Sequence, residues 1–233
     1  GDPAKVQEMG NNIFKITEKY DEMVLKYLKC NKETRYIFLS SGAVYGGDYK
    51  YPVNKDALAT IDINNLAVTD WYGLAKLYAE AKHRLLYNLN IIDVRVFNYF
   101  SHRQDMNACF LITDIVRAIK NKEIFKTSAD NIVRDFITPP DFYQLVQKII
   151  DSDIKNTALD CYTKSPIKKN RLLSVLKKEF GLTYEVECDL DIVNATGAKI
   201  NYYSENKIAE SIGYNPKNTS IEGVISELKL IGV

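Results

Sequence analysis

With 233 residues, 46% of them hydrophobic and 26% charged, the chain has material for one large domain or two small ones around an ordinary water-soluble core. A formal net charge of +1 leaves no electrostatic footprint for nucleic acid or a membrane surface, and no apolar run approaches the roughly eighteen residues of a membrane span. Two histidines, His83 and His102, and four scattered cysteines supply neither a metal centre nor a Ser-His-Asp triad; Cys30, Cys109, Cys161 and Cys188 read as reduced thiols of a cytoplasmic protein.

In chain order, Ile13, Phe14, Ile16, Tyr20, Met23, Val24, Tyr27 and Leu28 recur near the 3.6-residue period and predict one helix over residues 8–29. Residues 36–39, YIFL, form a strand that runs into two hydroxyls, Ser40 and Ser41, with Gly42 and Ala43 expected to leave room beside them. Residues 46–70 are polar and aperiodic, hence a loop. A helix over 72–87 follows, with Asp70 as its expected cap, and then a β-branched run at 91–97 that reads as a buried strand. Beyond it the pattern predicts a helix at 109–120 and an extended segment from 133, stopped by Pro139 and Pro140. Asp141 is placed to cap a helix at 142–150. A strand at 158–162, a basic helix at 168–180, a short strand at 184–188 and a helix at 220–231 complete the chain. Lys168, Lys169, Arg171, Lys177 and Lys178 read as a solvated face of that basic helix.

Alternating helices and strands signal an α/β fold, a parallel sheet covered by helices. Such sheets keep their ligands beyond the carboxyl ends of the strands, where Ser40, Ser41, Asn98 and Tyr99 fall. The helix that follows opens with Tyr72 and Lys76, four residues apart and therefore on one face. A cation beside a phenol lowers its pKa from about 10 and makes it a usable acid/base. A serine nearby can stabilise charge on the same substrate oxygen. Tyr51/Lys55, Tyr78/Lys82 and Tyr203/Lys207 share the spacing, but only Tyr72/Lys76 follows a hydroxyl-bearing strand end and encloses small residues.

SSGAVYG at 40–46, YGLAK at 72–76 with Glu80 beyond it, RVFN at 95–98 and RDFITPPD at 134–141 resemble, in order and spacing, the successive motifs of the extended short-chain dehydrogenase/reductase family. This is the NAD-dependent epimerase/dehydratase group acting on nucleotide sugars. INYYSENKIAESIGYNPKNTSIEGV is similar to that family's closing segment. The resemblance implies a Rossmann-like parallel sheet over 1–102 and 135–165, with a smaller mixed α/β substrate-binding part over 103–134 and 166–233 and the site in the cleft between them. It implies Ser41 as the catalytic hydroxyl, Tyr72 as the acid/base, and Lys76 as the ligand of the nicotinamide ribose that tunes Tyr72. Ser40 and Tyr99 would line the nicotinamide of NAD or NADP, which Tyr72 and Lys76 also touch. Asn98 would contact the sugar diphosphate, or else serve as a turn residue at a strand end. Arg134 would pair with the phosphates, or else make a structural pair with Asp135 or Asp141.

Three departures refine this expectation. No Gly-x-x-Gly-x-x-Gly turn stands between a strand and a helix. Since Gly1 falls near where the family's fourth helix would begin, the N-terminal half of the nucleotide-binding domain, and the residue choosing NAD over NADP, are expected to be missing. Gly42 and Ala43 stand where sugar dehydratases of the family carry an Asp-Glu pair, which points away from 4,6-dehydration. Epimerisation of a nucleotide sugar is then the leading expectation and 4-keto reduction the alternative; a non-catalytic nucleotide-binding or scaffold member, or an inactive fragment, is a reading of another class. Ser101 and His102 replace a frequent Gly-Pro. The broad apolar faces of the helices at 8–29 and 72–87 predict a homodimer, or else burial within the monomer.

Overall fold

A computed structural model describes residues 3–47, 49–187 and 199–233. The first expected helix is two: α1 (Pro3–Met9) and α2 (Asn12–Cys30). Gly10, at φ +51°, takes the left-handed conformation that ends a helix, and apolar periodicity runs through such a break unmarked. β1 (Tyr36–Ser41) is longer than expected and carries both serines as its last two residues, so their side chains lie on opposite faces. It runs into a 3-10 turn, residues 42–45. The loop to residue 70 holds isolated bridges, Gly46 to Thr60 and Val53 to Ser204.

α3 (Trp71–Leu85) follows, then β2 (Ile91–Val96) and β3 (Asn98–Tyr99). Asp70 does not cap α3: its backbone is already helical and its carboxylate accepts from the Ala67 amide at 2.8 Å, closing the preceding turn instead. Next come α4 (Leu111–Asn121), β4 (Ile124–Ser128), β5 (Val133–Arg134), β6 (Phe136–Ile137) and α5 (Pro139–Asp151). Pro139 and Pro140 occupy the first turn of α5, where their missing amides cost nothing, so they start the helix as well as stop the strand. Asp141 therefore lies inside the helix and not at its cap. It is buried and accepts from the amides of Lys217 and Asn218 at 2.7 and 3.0 Å, tying α5 to the segment before the last helix.

β7 (Thr157–Asp160), β8 (Ile167–Lys168), α6 (Lys169–Phe180), β9 (Thr183–Glu187), β10 (Asn201–Tyr202), a 3-10 turn (Ile208–Ile212) and α7 (Ser220–Ile231) end the chain. The expected strand at 158–162 thus stops at Asp160. Cys188, the end of the strand expected at 184–188, lies outside the described residues. Lys169 departs from the solvated face expected of α6: it is buried, and its ammonium donates to the Ser128 carbonyl at 2.7 Å. Lys168, Arg171, Lys177 and Lys178 are exposed.

The central sheet has the order β1-β2-β7, all parallel, with Ser41 opposite Val96 and Arg95 opposite Asp160. Smaller ladders surround it: β10-β5-β8, β3 with β6, and β4 parallel to β9. One apolar core joins Ile92, Val94, Leu145, Ile149 and Leu159 against the central sheet; another joins Phe100, Ile115, Leu172, Leu176 and Leu228 under α4, α6 and α7. Among the described residues no helix is long and apolar enough to cross a membrane.

Candidate active site

Ser41 is in extended conformation (φ −144°, ψ 150°), and its Oγ accepts from the Ala43 amide at 3.2 Å, so the hydroxyl also closes the turn that follows. Gly42 does not leave space for a ligand. A Cβ there would lie 2.4 Å from the Phe97 ring, which already fills that position. Gly73 works in the same way from α3: its Cβ would lie 2.6 Å from the Ala43 carbonyl oxygen. Small residues are thus needed because turn, helix and aromatic ring approach one another closely, and this approach carries the adjacent Tyr72 to Ser41. Gly73→Ala should push the start of α3 off the turn and lower stability by roughly 1–2 kcal/mol, overpacking outweighing the helix-propensity gain of alanine. A thermal melt unchanged from the parent would contradict it.

The Tyr72 phenol interacts with Ser41 through a side-chain hydrogen bond. The sequence argument expects Lys76 to lower the Tyr72 pKa; instead burial holds the phenol above its ordinary value, with the Ser41 hydrogen bond the only counterweight. Lys76 points elsewhere. Its ammonium donates to the Leu39 carbonyl at 2.8 Å and lies 4.5 Å from the Phe38 ring centroid, against 5.8 Å from that of Tyr72. Burial lowers its pKa, partly opposed by Asp21, Glu80 and Asp93.

A second phenol, absent from the sequence reading, completes the cluster. Tyr202 of β10 is buried and its Oη shares a 3.2 Å hydrogen bond with Ser41 Oγ. Its pKa is raised by burial. Nothing local in NYYS marks this residue, because its partner lies 161 positions away.

Ser40 faces the opposite way. Its hydroxyl donates to Glu80 at 2.6 Å, and Glu80 also accepts from Arg95, whose Nη1 donates to the Tyr45 hydroxyl at 2.6 Å. Tyr45 in turn donates to Asp160 at 3.0 Å, as does Ser204 at 2.6 Å. The Glu, Arg and Tyr of the recognised motifs therefore form a buried polar network that locks β1, α3, β2 and β7 together beneath the site.

On the other side, Asn98 donates weakly to the carbonyls of Asp135 and Tyr202, at 3.4 and 3.3 Å, bracing β3 against its neighbours. Arg134 makes no ion pair with Asp135 or Asp141. Its guanidinium donates to the carbonyls of Val133 and Ile200, lies 5.9 Å from the Tyr202 ring centroid, and meets no carboxylate among the described residues. Burial pulls its pKa down to about 10. Asp135 is instead occupied by the Thr163 amide and by Ser220 at 2.7 Å. Tyr99, part-exposed, stacks edge-on against Phe142 at 5.6 Å. His102 Nδ1 is 2.7 Å from Glu227 of α7, so the dipeptide in place of Gly-Pro anchors that helix.

The residues present suit the nicotinamide-ribose end of a dinucleotide and not its pyrophosphate. Lys76 lines an open apolar cleft with Ile16, Tyr20, Val24, Tyr36 and Phe38, along β1, which pairs on one side only among the described residues. No glycine-rich turn stands between a strand and a helix to cradle phosphates.

Comparison with known proteins bears on the fold and the family. The chain is 25% identical over 224 residues to an uncharacterized protein of Methanocaldococcus jannaschii, covering 94% of this chain and 63% of that protein, so it spans just under two thirds of that relative's length. Among solved structures it is similar to UDP-glucose 4-epimerase of Thermotoga maritima with UDP-glucose (TM-score 0.77, 18% identity, 96% of this chain and 72% of that one). It is likewise similar to MoeE5 in complex with UDP-glucose and NAD (TM-score 0.73, 20% identity, 90% and 68%). Residues 4–159 match the family model described as NAD dependent epimerase/dehydratase, and with two thirds of its length inside that match the chain belongs to the NAD-dependent epimerase/dehydratase family.

Proposed function

We propose that this chain carries the catalytic and substrate-binding residues of a nucleotide-sugar epimerase using NAD or NADP. The observation that supports it most is the convergence of Ser41 and Tyr72 at the carboxyl end of β1, with Arg134, which meets no carboxylate among the described residues, packed on the Tyr202 ring that bonds Ser41. Tyr72 takes or returns the proton of a sugar hydroxyl, and Ser41 hydrogen-bonds the same oxygen as charge develops on it. Lys76 and Tyr72 hold the nicotinamide ribose; the dinucleotide, when bound, supplies the hydride chemistry. Tyr99 borders the nicotinamide, and Ser40 contributes through Glu80, from beneath the strand. Arg134 meets the diphosphate as a bidentate donor, with Asn98 supporting it. A second reading, 4-keto reduction, is favoured by the Tyr72 phenol, which burial keeps in its proton-donating form.

Arg134→Met should weaken binding of both UDP and UDP-glucose by roughly tenfold or more, the worth of a charge-assisted hydrogen bond to phosphate, and leave the melting temperature within a few degrees. Titration calorimetry reads this without a dinucleotide. Failure of the parent protein to bind either ligand, or equal affinity in the variant, would sink the assignment. A cytoplasmic location is proposed, as is a homodimer across the outer face of α2, where Tyr20, Met23 and Tyr27 are exposed.

A further inference from the structure

The hydrogen bond between Tyr202 Oη and Ser41 Oγ has a direction, and that direction decides where the neighbouring protons point. Burial raises the Tyr202 pKa, so the phenol keeps its proton at neutral pH. A buried O–H needs an acceptor. Among the described residues the hydrogen-bond partners of Tyr202 Oη are Ser41 and the Ala43 amide, and an amide N–H can only donate. The Tyr202 proton therefore goes to Ser41 Oγ.

A serine oxygen has two acceptor sites and one proton. On Ser41 the Ala43 amide fills one site, at 3.2 Å, and Tyr202 fills the other. Tyr72, the third partner, is left only to accept. Ser41 donates to it, and the Tyr72 proton faces away from Ser41.

The surroundings of Tyr202 hold this direction. Its ring packs edge-on against Tyr49 at 5.0 Å and tilted against Phe97 at 5.1 Å. Phe97 fills the Cβ position of Gly42, and the Tyr49 hydroxyl donates to the Gly42 carbonyl, so both neighbours also hold the turn after Ser41. The Lys199 ammonium and the Arg134 guanidinium lie over the Tyr202 ring, 4.4 and 5.9 Å from its centroid. Cations on a ring face draw electron density from the phenol oxygen and make its O–H a stronger donor. A hydroxyl that accepts such bonds is in turn a stronger donor itself.

Resting on the reading of Ser41 and Tyr72 above, we infer that Tyr202 is a positioning residue for the proton exchange: by donating to Ser41 it prevents Tyr72 from donating there and keeps the Tyr72 proton for the substrate oxygen. Without the Tyr202 hydroxyl, Ser41 has a vacant acceptor site and Tyr72 turns its proton inward. The pair must then reorganise before each transfer. Tyr202 touches neither substrate nor dinucleotide in this role; it acts through Ser41.

The test is Tyr202→Phe, which deletes the donor and keeps the ring with its aromatic and cationic neighbours. In protein carrying tyrosine labelled at Cζ, the Tyr72 resonance is identified by its absence from Tyr72→Phe, and that of Tyr202 by its absence from Tyr202→Phe. A phenol that donates a hydrogen bond gains phenolate character, which moves its Cζ to higher frequency than in one that accepts. The Tyr72 resonance should therefore move to higher frequency in Tyr202→Phe. Ser41→Ala should move the Tyr202 resonance to lower frequency, because that phenol loses its acceptor. In turnover of UDP-glucose with NAD or NADP, Tyr202→Phe should lower kcat by roughly tenfold, the worth of one hydrogen bond, and leave KM within about twofold. A Tyr72 resonance unmoved in Tyr202→Phe would overturn the inference, as would a Tyr202 resonance that stays or moves to higher frequency in Ser41→Ala. A variant that raises KM and keeps the parent's kcat would do so too, with the nucleotide-sugar reading intact. A parent protein that neither binds nor turns over UDP-glucose would remove that reading, and the two resonances would then decide the proton direction on their own.

Discussion

Replacing His83 with alanine should lower the stability of the protein by about 3–5 kcal/mol, the usual consequence of removing one partner from a buried ionic cluster. The imidazole is fully buried, with Nδ1 2.6 Å from Asp93 and Nε2 2.8 Å from Asp21. Among the described residues it is the one side chain that joins α2, α3 and β2 through charge. The rings of Phe38 and Tyr36 close over it edge-on at 5.1 and 5.7 Å. Burial lowers its pKa, but hydrogen bonds to the two carboxylates more than offset this and bring it up to about 9. The cation is therefore the native form at neutral pH. Its removal leaves Asp21 and Asp93, both buried, with only Lys82 at 3.4 Å from the one and Arg84 beside the other. For a chain of this size the melting temperature should fall by roughly 6–20 °C.

The pH dependence has a definite sign. A folded-state pKa above the unfolded value of 6.5 means that the histidine stabilises fully below about pH 6.5 and that this contribution fades as pH rises through about 9. Its size is on the order of 3 kcal/mol. Denaturant melts of the parent between these limits should show stability falling with pH, and His83→Ala should lack that slope. Parallel pH profiles for the two proteins would refute the assignment of the slope to His83.

Much of the candidate site was legible because its signals are local. A β-branched or aromatic run ending in hydroxyls, followed by a helix with Tyr and Lys four apart, needs no knowledge of the rest of the chain. What escaped has a common cause. Asp70 and Asp141 have the chemistry of helix caps, but their oxygens are claimed elsewhere, by an amide three residues back in one case and by amides 76 and 77 residues on in the other. Strands of two residues, such as β5, β8 and β10, are too short to carry a period, so the ladder that sets Tyr202 and Arg134 opposite each other could not be read. Gly42 was visible, yet its reason was not: the ring that requires it, Phe97, arrives from a different strand end. Glu80, Arg95 and Tyr45 stood in the recognised motifs without an assigned role, and they hold the scaffold under the site.

The largest effect expected on chemistry is that of Tyr72→Phe, which removes one oxygen from a site where it acts on Ser41. Ser41 keeps two other contacts in the variant, the Ala43 amide and the Tyr202 hydroxyl, so its position should survive and the fold with it. Loss of a positioned acid/base lowers turnover by roughly 10²–10⁴-fold. Affinity for the nucleotide sugar, which the proposed function assigns to Arg134, should change by less than about threefold. The pair of readouts separates the two classes of function. An enzyme loses turnover and keeps its ligand, whereas a binding module of the same fold is indifferent on both counts. The pH profile adds a further constraint. Because burial raises the Tyr72 pKa, the proton-donating phenol persists through neutral pH, and the reductive direction should be flat there while the oxidative direction climbs as the medium becomes alkaline. Measured with NAD and with NADP at several pH values, equal profiles in the two directions would mean that Tyr72 is not the group exchanging the proton, and Tyr202, the other phenol on Ser41, would be the next residue to replace.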